Sequence, residues 1–434
     1  MHAPTLVTEI AQAWNERGIR YAVAHGLEQY PTGVGRDIDV LVAPEHVEPA
    51  ITLAAEQVEA RGLVVVHPDP IWGRRIVAID TVEQAMLEVH LITELSWRGA
   101  ALVRRPKPTT AIDGIAIDPR LTFAKRVLAP FLAGNVAKFE RKPQEFVLGE
   151  GEHEAALALL HGLVAADLAD GLFHAVAERD TATAWSLAPA VRRSLLARSA
   201  AREPMRHAAR LVHSATRRLR QPFAPCAPTI AFVGPDGAGK STVIHALRDG
   251  DRGIFTDIVV RHWRPYLLPA LATLAGRPIA KPDSEGTMPP RRHAGRGSLV
   301  RLTYYYLDYL VGGLLKDRVA NARQQLVLYD RCALDMQIDP LRYGLHDGTI
   351  QPLARRLLPW PHLVVLLTCD AQAIHARKPD LPVDEIQRQL DEWQAFVQRG
   401  DIHAVLRTDA PAAEVVHEAR GLIMKAFVEL NRRQ

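Results

Sequence analysis

Only three cysteines occur, Cys226, Cys332 and Cys369. They are too few and too scattered for a disulfide framework or a zinc site, so a reducing compartment, the cytoplasm, is expected. No run of about 18 uncharged apolar residues is present, and no segment is expected to span a bilayer. The stretch "MHAPTLVTEIAQAWNERG" lacks a basic region followed by an apolar one, so no signal peptide is expected. A strong charge of one sign is also missing. The net charge of +4 does not by itself require a polyanionic partner.

What is present is enough for two or three domains. The 434 residues exceed one ordinary domain, and 48% apolar with 24% charged residues is the balance of a globular protein with a sizeable core. Positive charge is concentrated locally, with nine arginines against one acid, Glu203, between Arg192 and Arg220. Arg198, Arg202, Arg206 and Arg210 recur every four residues and predict one ridge of a helix. Such a ridge reads either as a solvated face or as a peripheral contact of 192–220 with an anionic membrane or nucleic acid.

The predicted fold class is α/β. In 1–105, "IRYAVAHG", "IDVLVA", "LVVVH", "RIVAI" and "AMLEVHLI" read as short strands among helices, which predicts an α+β domain. Residues 106–221 read as a mainly helical middle region. The prolines of 222–228 predict a stiff connector. From 229 to 434 strands alternate with helices, which predicts a parallel sheet with helices on both faces.

"GPDGAGKST" follows the strand "TIAFVG" and precedes the helix "STVIHALRD", the context that a phosphate-binding GxxxxGK[ST] loop requires. Gly234, Gly237, Ala238 and Gly239 would turn backbone N–H groups toward the phosphates of ATP, with Thr242 in the first helical turn. Lys240 would reach the β- and γ-phosphates and the Ser241 hydroxyl would bind Mg²⁺. Taken with "YDR" at Tyr329–Arg331 and "PHLVVLLTCDAQAIHARK" at Pro361–Lys378, the last 206 residues resemble thymidylate kinase-like P-loop kinases. The resemblance implies that Asp330 serves the metal and that Arg331 serves the acceptor or the transferred group. It gives Arg377 a place on a mobile lid, and makes Arg264 of "RHWRP" an acceptor-binding arginine. Asp370, which ends the next strand, is a rival metal carboxylate or a helix cap.

"RCALDMQIDPLRYG" departs from the nucleobase-binding helix of thymidylate kinases. Together with "HWRP" it resembles a branch of the family found with polysaccharide and glycan biosynthesis. Asp335 and Arg342 are its candidate acceptor contacts. Arg331, Asp335 and Asp339 lie four apart and could share a helix face. "MPPRRHAGRGS" adds a basic loop. An alcohol acceptor would need a general base, for which Asp236 and Asp330 are placed.

A second device lies near the start. In "GRDIDVLV", Asp37 and Asp39 fall on one face of a strand, because side chains alternate with period two. With Glu88 from "AMLEVHLI" they form a candidate Mg²⁺ site able to bridge a nucleotide triphosphate. The pattern resembles the nucleotidyltransferase fold related to polymerase β, except that Leu27 follows Gly26 where that fold usually has serine. The chain therefore reads as an ATP- and Mg²⁺-dependent kinase acting on a sugar, alditol, sugar phosphate or nucleotide-like small molecule, fused to a nucleotidyltransferase-like domain. Two rival readings are a polynucleotide 5′-kinase for end healing and an ATP-dependent switch that phosphorylates nothing. Against the first stand the absence of a K-x-D-G ligase motif and of a basic patch with interleaved aromatics.

Overall fold

The computed structural model describes residues 1–68, 74–136, 139, 148–149, 151–220, 223–250, 252–265, 267–268, 298–343, 345 and 361–432. They divide into two units, Met1–Arg220 and Gln221–Gln434.

The first unit is built on a mixed seven-stranded sheet. In chain order its strands are β1 (Tyr21–His25), β2 (Asp37–Val42), β3 (Val64–Val66), β4 (Arg75–Asp80), β5 (Ala85–Ile92), β8 (Thr110–Ile112) and β9 (Ile115–Ile117), with a separate hairpin of β6 (Leu95–Trp97) and β7 (Ala100–Val103). The spatial order is β3-β4-β5-β2-β1-β9-β8. The expected boundary at 105/106 falls inside this sheet, because β9 pairs parallel with β1. β8 and β9 are three residues each, too short for alternation to announce them. Helices Ala3–Glu16 and Val47–Ala60 bury Leu6, Ile10, Trp14, Ala50 and Ala54 in the sheet core. Residues Glu152–Leu163, Ala166–Ala177 and Thr181–Arg202 form helices whose core is continuous with Ala22, Ala24 and Leu41 of the sheet.

The arginine ridge is interrupted. The helix Thr181–Arg202 ends at Glu203 and a new one, Pro204–Arg220, begins, so Arg202 and Arg206 stand on different helices. Arg210 pairs with Glu94 at 2.6 Å and Arg202 donates to the Gly162 carbonyl at 2.8 Å, so part of the charge is used inside the unit.

The second unit carries a five-stranded sheet of β10 (Thr229–Val233), β11 (Asp257–His262), β12 (Gln325–Asp330), β13 (Leu363–Thr368) and β14 (Ala404–Arg407), ordered β11-β12-β10-β13-β14. Every pairing is parallel, and the strands are nearly continuous apolar runs, as burial on both faces demands. One face, with Ala231, Val327, Tyr329 and Val364, packs against the helix from Ser298 and against Trp393 and Phe396 of Val383–Gln398. Helices Lys240–Asp249 and Ala412–Arg432 bury Val243, Leu247, Ile423 and Phe427. The proline segment is part of this unit. Cys226 and Ala227 are buried and their N–H groups donate to the Asn321 carbonyl, so its described end is anchored rather than a free connector. The basic residues 288–297 lie outside the described residues.

Candidate active site

β10 is the middle strand. The chain leaves it for β11 beyond β12 on one side and later returns to β13 on the other, so the ends of β10, β12 and β11 face the crevice at the switch point. Gly234 leaves β10 with φ +137°, and Gly237 and Gly239 follow at +84° and +88°. These are conformations that favour glycine. Space demands glycine as well: a Cβ on Gly234 would lie 2.3 Å from the Leu367 carbonyl oxygen, and one on Gly237 would lie 3.0 Å from that of Ile374.

Lys240 opens the helix Lys240–Asp249 and is almost fully buried. Its Nζ donates to the Gly234 and Pro235 carbonyls at 2.9 and 2.8 Å, so the ammonium is held in the concavity of the loop. Burial, helped by the Arg331 guanidinium, pulls its pKa down to about 8. Ser241 stands beside it and donates from Oγ to Asp330 Oδ2 at 3.2 Å. A hydroxyl and a carboxylate in contact at the foot of a glycine cradle are the oxygen donors that Mg²⁺ takes when substrate oxygens and water complete its shell. The residues present therefore fit a magnesium-bound triphosphate. Ala238 is buried under the loop and Thr242 is exposed in the first helical turn.

Asp330 ends β12 beside Phe232 of β10 and His262 of β11. His262 Nδ1 is 3.7 Å from Asp330 Oδ2, and the ring is half exposed. His262 opens the "HWRP" string, which gives it no role; the register of β11 against β12 brings it here. Directly after these strand ends, Trp263 and Arg331 both adopt positive φ, +43° and +74°. Their N–H groups donate to Asp330 and Phe232 carbonyls at 2.9 Å, which fixes the two turns. Non-glycine residues held in this region mark a site whose surroundings over-determine it.

Asp236, in the loop, bridges two arginines: Arg331 donates to one carboxylate oxygen, and Arg342 to the other at 2.7 Å. Burial alone would raise its pKa, but Arg331, Lys240 and Arg342 hold it well below the usual carboxylate range. This corrects the general-base role expected for Asp236, because a carboxylate so strongly held ionised is a weak proton acceptor. Arg331 also donates to Asp335 at 2.7 Å, and Asp335 accepts from the Cys332 N–H at 2.9 Å. Arg331, Asp335, Asp236 and Arg342 are thus one alternating chain of charges. Asp339 is not on that face; it accepts from the Arg342 N–H at 3.2 Å as the helix Asp335–Ile338 ends.

Three expected residues make other contacts. Arg264 is 3% exposed and donates to Asp308 at 2.9 Å, with Trp263 and Tyr305 rings 5.4 and 5.9 Å away. It braces an aromatic cluster, in which Trp263 lies 4.8 Å from both Tyr305 and Tyr343, and does not present its guanidinium to an acceptor. Arg377 donates to the Thr408 carbonyl at 2.9 Å and to its hydroxyl at 3.3 Å, just past β14, where Thr408 would lie 3.6 Å from a Cβ on Gly239 of the loop. Asp370 is exposed and stands 3.6 Å from Arg407; it occupies the N-cap position of Ala371–Arg377, but its side chain makes no capping bond.

In the first unit Asp37 and Asp39 do share a face of β2, and Asp37 pairs in register with Glu88 of β5. Each buried acid, however, already has a cation. Asp39 meets Lys125 at 2.8 Å and His90 at 3.0 Å, and Glu88 meets Arg75 at 3.4 Å. Burial opposes ionisation of Asp39, yet His90 and Lys125 keep its pKa well below the carboxylate range. Among the described residues no cluster of three or more His, Cys, Asp or Glu side chains is arranged to hold a metal ion. The expected Mg²⁺ site at Asp37, Asp39 and Glu88 is therefore corrected: charge neutralisation there comes from side chains.

No family model matches the chain, and no curated protein does. Among solved structures it is similar to thymidylate kinase from Ehrlichia chaffeensis, at 15% identity and a TM-score of 0.32, over 45% of this chain and 98% of that one. So slight a likeness adds nothing to the geometry of the site.

Proposed function

We propose that the second unit is an ATP- and Mg²⁺-dependent small-molecule kinase. The observation that carries this reading is the contact of Ser241 with Asp330 beside Lys240 in a loop where glycine is sterically required. Mg²⁺ bound between Ser241 and Asp330 would neutralise charge on the β- and γ-phosphates. Lys240 would leave the Gly234 and Pro235 carbonyls and donate to the oxygens that gain charge as the γ-phosphoryl group leaves ADP. Arg331, held by Asp236 and Asp335, would stand beside the transferring group with little reorganisation.

On this reading the acceptor would lie near Arg342 and Arg331, with the Trp263–Tyr305–Tyr343 cluster as its aromatic neighbour. Guanidiniums suit a phosphate and an aromatic wall suits a ring, which favours a sugar phosphate or a nucleotide-like acceptor over a bare alditol. Such an acceptor presents phosphate oxygens and needs no general base. A hydroxyl acceptor would lose its proton to Asp330 or His262, the remaining basic groups at the strand ends. A role in glycan or polysaccharide biosynthesis is the setting this reading favours.

The test is ATP consumption by the full chain against panels of sugars, alditols, sugar phosphates and nucleoside monophosphates, with product masses measured. One acceptor gaining 80 mass units, about the mass of a transferred phosphoryl group, supports the reading. ATP turnover indifferent to every acceptor, or efficient labelling of 5′-hydroxyl oligonucleotides, overturns it.

A further inference from the structure

The helix Pro204–Arg220 closes the first unit, and none of its residues is buried. Its attachment is narrow. Arg210 reaches Glu94 at 2.6 Å. The turn from His207 to Leu211 lies so close to the β6–β7 hairpin that a Cβ on Gly99 would stand 3.0 Å from the His207 carbonyl oxygen and from the Leu211 side chain. Beyond this contact every residue from Leu211 to Arg220 is exposed.

Met205, Ala208, Val212, Ala215 and Leu219 recur every three or four residues and so fall on one stripe of this helix. Met205, Val212 and Leu219 are 81%, 62% and 73% exposed. Single apolar residues in water are ordinary, but a stripe running the length of a helix marks a surface that meets something. The same 17 residues hold five arginines and no acid. Arg206 lies 3.5 Å from Glu203, and Arg210 is taken by Glu94. Arg217, Arg218 and Arg220 are exposed and in no ion pair among the described residues. The helix dipole favours cations at this end, but it does not account for the apolar stripe beside them.

We propose that this helix lies on an anionic lipid surface, with Met205, Val212 and Leu219 among the acyl chains and Arg217, Arg218 and Arg220 on the headgroups. Arg218 and Arg220 stand about 100° to either side of Leu219. From there their stems can run along the apolar surface and lift the guanidiniums to the headgroup level. A basic face opposite a narrow apolar one is the pattern of helices that rest in the interface plane. No helix among the described residues is long and apolar enough to cross a bilayer, so the contact is peripheral. A nucleic acid fits less well: it would engage the arginines and leave the stripe in water, and the helix has no aromatic side chain to stack on a base. A second copy would cover the stripe but bring five more arginines and no acid to meet them. The break of the arginine ridge at Glu203 does not matter here, because the last three arginines all lie on the one helix. The proposal does not depend on phosphoryl transfer.

The test is co-sedimentation of the full chain with vesicles of phosphatidylcholine alone and with about 30% phosphatidylserine added, at low and high salt. Binding is expected to the anionic vesicles, to weaken with salt, and to be slight on phosphatidylcholine. Arg217→Gln with Arg218→Gln should weaken it about 25-fold, roughly fivefold for each arginine. Val212→Gln with Leu219→Gln keeps the charge and the helix propensity, and should weaken it at least about tenfold with the melting temperature unchanged. Absence of anionic-vesicle binding by the parent protein, or equal binding by the Val212→Gln, Leu219→Gln pair, overturns the proposal. So does a fall in melting temperature in that pair, which would show the stripe already packed in the folded chain. Without vesicle binding, a dimer that the same pair converts to monomer assigns the stripe to a second copy. A DNA duplex bound through the arginines alone, again without vesicle binding, assigns the helix to nucleic acid. Either result overturns the lipid reading.

Discussion

At the residue scale the site is governed by charges held close together and out of water. Lys240, at a pKa of about 8, is charged at neutral pH and loses its proton just above it. Nucleotide phosphates need the charged form, so affinity for Mg·ATP should fall as pH rises from 7.5 to 9.5, and in Lys240→Ala that dependence should disappear. Calorimetry across this range checks it. The same shift acts on stability with the opposite sign. The folded pKa lies below the ordinary 10.5, so the unfolded chain binds more protons between about 8 and 10.5 and this lysine's contribution rises with pH. Asp236 has a folded pKa below its ordinary 3.8, so its stabilisation is present above about pH 4 and is lost as pH falls further. Asp236→Asn should cost about 3 kcal/mol at pH 7, because two partly buried guanidiniums lose their shared partner, and measurably less at pH 2.5, where part of that stabilisation is already lost. Denaturant melts at the two pH values measure the difference. The sequence made Lys240, Ser241 and Asp330 legible because a loop motif fixes their spacing. It did not make the roles of Asp236 or Arg264 legible, because their partners Arg342 and Asp308 are 106 and 44 residues away.

At the scale of elements, parallel pairing of β10, β11 and β12 brings His262, Asp330 and the glycine loop to one edge. Apolar runs and the glycine motif announced these strands in the sequence, whereas the four-residue β14 and the three-residue β8 and β9 gave no comparable period. The alternation of Asp37 and Asp39 was read correctly, but a strand pattern does not say what packs over its face, and Lys125 arrives from a helical segment 86 residues further on. The glycine loop offers a sharp test of the packing. Gly234→Ala should destabilise the second unit by at least about 3 kcal/mol, since positive φ and a collision with the Leu367 carbonyl act together. Gly400→Ala also meets positive φ, +76°, but no atom lies within 4 Å of the added carbon, so only about 1 kcal/mol is expected. Equal losses in the two variants would show that the loop is not close-packed.

At the scale of the whole molecule, two units each have a core of their own, and each was foreshadowed by one phosphate- or metal-handling motif. Among the described residues, the oxygen donors proposed for a nucleotide's magnesium, Ser241 and Asp330, lie in the second unit, and in the first Lys125, His90 and Arg75 neutralise the acids. Substituting Asp37→Ala together with Asp39→Asn should leave ATP turnover by the second unit within about twofold of the parent, the additivity expected of sites that share no partner. Turnover of purified protein with its circular dichroism checked would measure this. The account as a whole rests on the loop around Lys240 holding Mg·ATP, and calorimetric titration of Mg·ATP into the folded full-length chain tests that most directly. One saturable site is predicted, weakened about 100-fold or more in Lys240→Ala. No binding heat from the parent protein, or equal affinity in the variant, would contradict it.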